Sequence, residues 1–213
     1  TGPRTIIIPI LNIYGTGARV QKELPDCTVL DGCIYVSASL EHPGVLVQHG
    51  PILRVVFGPR DPSYISPILS VIQSDLCESG IDGVLSTHIQ RDALEKFSYV
   101  SPIGAAGVYL HAVAGDFQKE GAARELFKSM IREISALAAA MGYPFEKDYV
   151  KINLEILSNL SADATTSMQR DIMEGKPSEL DGLVMEPLRL AKKYSVSMPC
   201  YEEVANVLCP LEF

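Results

Sequence analysis

The hydrophobic pattern of this chain changes period at about residue 88, and that change constrains the fold more than any other feature. Upstream, apolar residues come in short β-rich runs broken by turn signals; downstream, they recur every three or four positions to the end. Alternation and unbroken apolar runs belong to strands, and a 3.6-residue period belongs to helices that bury one face. The expected architecture is therefore a sheet unit over residues 1–87 and an all-α unit over residues 88–213.

The run Thr5-Ile-Ile-Ile-Pro-Ile-Leu11 is apolar throughout, as strands of a parallel sheet covered on both faces are. Such a sheet needs partner strands and crossover helices, so a chain that enters this strand at once and lacks an initiator Met reads as a fragment. Asn12 follows, at the carboxyl end of the strand where open α/β sheets bind ligands; an Asn there also serves a simple turn. Gly15-Thr16-Gly17 lacks the third glycine and downstream acid of a dinucleotide fingerprint, and is not expected to cradle phosphate. A short helix is expected over Ala18–Leu24, then strands over Cys27–Leu30 and Cys33–Leu40. Two further strands, Val45–His49 and Ile52–Phe57, are expected on either side of Gly50-Pro51, then a helix from Asp61-Pro62 to Ser79 ended by Gly80, and a last strand at Gly83–Ser86.

In the second half, helices are expected over Gln90–Ala114, Ala122–Met141, Asp148–Leu157, Thr166–Glu174, Leu180–Tyr194 and Tyr201–Leu208. Pro102 should bend the first of these or interrupt a hydrogen bond, and Gly104-Ala105-Ala106-Gly107 should let another element pack closely. The apolar faces of Ala122–Met141 and Leu180–Tyr194 leave room for a homodimer.

With 18 Lys plus Arg against 26 Asp plus Glu, the net charge of −8 disfavours nucleic acid and anionic membranes as partners. Five scattered cysteines form no CxxC pair, and the four histidines show no ligand spacing, so reduced thiols in a cytoplasmic protein and no metal are expected. No apolar run approaches the roughly 20 residues of a membrane helix. Small-molecule chemistry fits this balance better than a charged polymer does.

Polar residues with chemical potential cluster late in the chain. Ser167-Met168-Gln169-Arg170-Asp171 lies on one expected helix, Gly175-Lys176-Pro177-Ser178 breaks it, and Glu179-Leu180-Asp181 opens the next, with Ser178 suited to its cap. Asp171 shares a helical face with Ser167. Lys96, in Leu94-Glu95-Lys96-Phe97, reads from its own pattern as a solvated lysine or as a cation facing a cleft.

These segments closely resemble the ketopantoate reductase family, whose members carry Ser-Met-x-x-Asp before a Thr/Ser-Glu-x-Asp segment, and a lysine helix just after the sheet domain. The resemblance implies a Rossmann-like sheet domain, present here only in its C-terminal part, followed by a helical domain of the 6-phosphogluconate-dehydrogenase-like type. It implies NADPH-dependent reduction of 2-dehydropantoate to pantoate, with the glycine-rich cofactor loop upstream of Thr1. Lys96 then corresponds to the general acid, Ser167 to the residue that holds the substrate carboxylate, and Glu179 to the acid at the substrate hydroxyl or cofactor ribose. Asn12 matches the family Asn that touches substrate or nicotinamide ribose, although Ile13 replaces the following Gly. Val100 and Gly104 stand where family members place substrate-binding asparagines, which leaves another branched or bulky 2-keto acid as the alternative substrate. A non-catalytic helical module for dimerisation or ligand sensing is the rival from a different class.

Overall fold

The computed structural model describes residue 2 and residues 4–209. It divides into two compact units, Thr1–Ala93 and Leu94–Phe213.

In the first unit, β1 (Ile6–Ile7) and β2 (Thr28–Val29) pair in parallel, and α1 (Thr16–Glu23) connects them. A long hairpin of β3 (Asp31–His42) and β4 (Val45–Gly58) continues into α2 (Pro67–Glu78) and β5 (Asp82–Leu85), which pairs in parallel with β4. Alternation along β4 apportions the core. Val55 and Phe57 pack with Leu30 and Leu69, whereas Val56, between them, packs with Cys33 and Ile89. The base of this sheet is thus covered on both faces.

Three local expectations are corrected here. Only Ile6–Ile7 of the isoleucine-rich run forms ladder pairs. The two strands expected around Gly50-Pro51 are one continuous β4, with the dipeptide inside a register shift: Val36 faces Leu53 but Ala38 faces Gln48. A bulge tolerates a proline because its residues need no ladder N–H. The helix expected from Asp61 splits into a 3-10 turn at Pro62–Tyr64 and α2, because Pro67 holds Ser66 extended at φ −126, ψ 157. Gly80 does end α2, in the left-handed region at φ 81.

The second unit is helical. α3 (Ile89–Leu110) is followed by α4 (Ala114–Gln118), α5 (Ala122–Ala140), α6 (Tyr149–Ser158) and α7 (Ser167–Met173). A π-helical turn at Asp181–Met185 then runs directly into α8 (Glu186–Tyr194), and α9 (Pro199–Leu208) closes the fold. The helix expected to reach Ala114 stops at Leu110, where His111 turns left-handed at φ 52, and α4 starts afresh. α5 is the central rod: Phe127, Met130, Ile131, Ile134, Leu137 and Ala138 recur at helical spacing and are all buried. That apolar face serves the unit's own core.

Pro102 sits inside α3 and has no N–H for the carbonyl of Ser98, one turn earlier. Asn153 of α6 supplies the missing donor, its Nδ2 reaching the Ser98 carbonyl at 3.0 Å and the Ser98 Oγ at 3.1 Å. Both residues are buried. A helix-breaking residue thereby becomes the point at which α3 and α6 are joined.

Candidate active site

Lys96, Val100 and Gly104 recur every four residues on α3 and so lie along one face of the helix. Lys96 and Val100 are partly buried, and Gly104 is fully buried. A Cβ at Gly104 would lie 3.1 Å from Met168 Cε of α7 and 3.8 Å from Leu183 Cδ1 of the π turn. At Gly107, one turn on, a Cβ would lie 2.8 Å from the Gln169 side chain. The small-residue segment 104–107 thus gives the close approach its sequence implied, and α3, α7 and the π turn converge at Gly104.

The start of α7 is fixed by reciprocal capping. Thr166 Oγ1 accepts from Gln169 N–H at 3.2 Å, while Gln169 Oε1 accepts from Thr166 N–H at 2.9 Å. Gln169 Nε2 is not spent on the cap and donates to the Ala112 carbonyl at 2.7 Å, which pins α7 onto the end of α3. Ser167, the first residue of α7, is left exposed beside buried Met168. Asp171 is partly buried on the same helix.

Glu179 is partly buried in the turn that leads into the π segment. Its carbonyl accepts the Leu183 N–H at 2.9 Å, so Glu179, and not Ser178, holds the position from which the helical ladder starts. At the surface of that turn, Arg189 Nη1 donates to Asp181 Oδ2 at 3.0 Å and to Glu186 Oε2 at 3.2 Å. Lys96, Ser167 and Glu179 therefore ride on three elements of one unit that meet at a single glycine.

Asn12 belongs to the first unit, partly buried in the loop between β1 and α1. The loop is tied down by Tyr14, whose OH donates to Gln90 Oε1 at 2.6 Å. Gln90 Nε2 in turn bonds the buried carboxylate of Asp31, which also receives Arg60 Nη1 at 3.1 Å. Gly17 belongs to this packing: a Cβ there would meet Asp31 Oδ1 at 1.9 Å and the Leu30 carbonyl at 2.3 Å. The glycine serves close contact between α1 and the sheet.

Sequence reasoning missed the buried polar residues Asp31, Ser101, Asn153 and Gln169. For Ser101 and Asn153 a signal was present, since every proline in a helix interior orphans the carbonyl four residues earlier and calls for a donor from elsewhere. Among the described residues, no group of His, Cys, Asp and Glu could hold a metal ion, and no helix is long and apolar enough to cross a membrane.

A sheet unit of this kind leading into a helical unit that begins with a long lysine-bearing helix is the fold of a group of reductases and dehydrogenases. A 2-dehydropantoate 2-reductase from Methylococcus capsulatus superposes with a TM-score of 0.87 at 23% identity, over 100% of this chain and 67% of that one. D-mandelate dehydrogenase in complex with NADH superposes with a TM-score of 0.81 at 18% identity, over 96% of this chain and 69% of that one. In sequence, the uncharacterized oxidoreductase YkpB of Bacillus subtilis is 23% identical over 202 residues, covering 94% of this chain and 66% of the relative. A 2-dehydropantoate 2-reductase of Nostoc is 21% identical over 198 residues, covering 91% and 61%. The chain thus spans about two thirds of the length of the curated relatives it matches. Residues 88–212 match the family profile described as "Ketopantoate reductase PanE/ApbA C terminal". The chain belongs to the ketopantoate reductase family.

Proposed function

We propose that this chain is the substrate-binding and catalytic part of an NADPH-dependent reductase that converts 2-dehydropantoate to pantoate. The observation that carries the reading is the convergence of the Lys96 helix, the Ser167 helix and the Glu179 turn at Gly104, in a chain of this family. When bound, the nicotinamide supplies hydride to the carbonyl carbon. Negative charge then builds on the carbonyl oxygen, and the Lys96 ammonium both stabilises it and delivers the proton. Ser167 binds the substrate carboxylate, and Glu179 accepts from the substrate hydroxyl or the cofactor ribose. Asn12, in the loop that follows β1, suits the nicotinamide end of the cofactor. Gly15-Thr16-Gly17 does not suit the pyrophosphate, because Gly17 is spent against Asp31. The enzyme works in the cytoplasm as a homodimer in this reading, joined by surfaces other than the α5 core face.

A second substrate class is favoured by one feature. Val100 and Gly104, one and two turns beyond Lys96 on the same face of α3, offer no polar group, which suits a branched or bulky 2-keto acid. Steady-state kinetics of the complete gene product with NADPH and a panel of 2-keto acids decide between them. The expected result is the highest kcat/KM for 2-dehydropantoate; a ranking far below another acid would overturn the substrate assignment, and no turnover of any 2-keto acid would overturn the reductase assignment.

A further inference from the structure

We propose that Ser101 and Tyr201 are positioning residues for Glu179, which they hold through the backbone of Leu183. The inference rests on the reading of Glu179 as a substrate-binding group. In a regular helix the Leu183 carbonyl would receive the N–H of residue 187, but that residue is Pro187 and has none. The backbone widens here into a π turn, with Glu186 N–H bonded to the Asp181 carbonyl. The Leu183 carbonyl, which Pro187 cannot serve, accepts the Ser101 hydroxyl at 2.6 Å. Leu183 is thereby held at both backbone groups, its carbonyl by α3 and its N–H by the carbonyl of Glu179 at 2.9 Å.

Because Ser101 gives its one proton to Leu183, the Tyr201 hydroxyl donates to Ser101 Oγ. Ser101 and Tyr201 are both completely buried. Tyr201 is fixed in its turn by Glu133, whose carboxylate accepts the N–H groups of Cys200 at 2.7 Å and Tyr201 at 3.1 Å at the start of α9. Ser101 lies five residues from Lys96 on the same helix, about 7.5 Å along its axis. The hydroxyl relay therefore sets the height of the Glu179 turn against the helix that carries the proton donor.

The test uses the complete gene product with variants Ser101→Ala, Tyr201→Phe, Glu179→Gln and the Ser101→Ala/Glu179→Gln pair, each checked for native circular dichroism and melting. Ser101→Ala is expected to raise KM for the 2-keto acid on the order of 10-fold, with a smaller change in kcat, because the binding group loses its placement. Tyr201→Phe keeps the Ser101 bond to Leu183, is the less disruptive change, and should give a smaller rise of the same kind. In the Glu179→Gln background, Ser101→Ala should add less than about twofold to KM, since both changes remove one interaction. A purely structural pair would lower the melting temperature and leave KM of the folded enzyme unchanged, whereas a KM rise that adds in full to that of Glu179→Gln would mean that Ser101 does not act through Glu179; either result overturns the proposal. If Glu179→Gln itself behaves as wild type, the assignment of Glu179 falls and this inference with it, a result distinct from failure of Ser101→Ala alone.

Discussion

Replacing Asn153 with Ala should destabilise the helical unit mainly by what it does to a carbonyl 55 residues away. The Ser98 carbonyl lost its helical partner to Pro102, is completely enclosed, and depends on Asn153 Nδ2. Removing that donor leaves a buried acceptor unsatisfied, at a cost of about 1–3 kcal/mol. The Ser98 hydroxyl adds less, because its own proton still goes to the Glu95 carbonyl at 2.7 Å. The small cavity left by the amide raises the total to roughly 2–4 kcal/mol.

The cause can be isolated, because the vacancy has a second remedy. Pro102→Ala restores an N–H at the position from which an α-helix would bond the Ser98 carbonyl. In that background Asn153→Ala should cost less by about 1–2 kcal/mol, since the carbonyl keeps a partner. The assay is urea unfolding followed by helical circular dichroism on the four proteins of the cycle. Additivity to within about 0.5 kcal/mol would refute the argument and reassign the cost of Asn153→Ala to lost packing alone.

Lys96→Met in the complete gene product should lower kcat by about 10²- to 10⁴-fold with a smaller effect on KM, as loss of a general acid does; stopped-flow or steady-state NADPH oxidation checks it. Gly107→Ala drives a methyl to 2.8 Å from the Gln169 side chain and should displace the bond to Ala112. It should cost about 1–3 kcal/mol by thermal melting. Gly17→Ala meets Asp31 Oδ1 at 1.9 Å and backbone at Leu30, and is expected to abolish folding of the sheet unit, seen as loss of protection in hydrogen exchange over 5–58. Desolvation pushes the Tyr99 hydroxyl up to about 12 from 10.0, and burial moves that of Tyr201 in the same direction. A raised folded-state pKa contributes stability that is complete below pH 10 and is lost as pH climbs toward the folded value. Unfolding free energy should therefore fall between about pH 10 and 12, and Tyr99→Phe should blunt the fall.

The apolar stripe on α5 shows where pattern and packing part. Its period announces that some surface will cover it, and only the fold shows that the unit's own core does so. Gly104 shows the same division at the candidate site. The sequence marks a close approach there, yet only the fold names Met168 and Leu183 as the groups that approach.

Taken alone, the chain determined whatever depends on neighbours a few residues away. The change of period near residue 88, the Thr166 and Gln169 box that starts α7, the Asp148 cap that starts α6, and the glycine stop at Gly80 all lie within one or two turns. Its prolines also dictated that two carbonyls, at Ser98 and Leu183, would lack their helical donors. Only the tertiary structure decided who answers them: Asn153, 55 residues from Ser98, and Ser101, 82 residues from Leu183. A vacancy in a hydrogen-bond ladder is local, because the ladder repeats every four residues, whereas the group that fills it is set by which helices pack together.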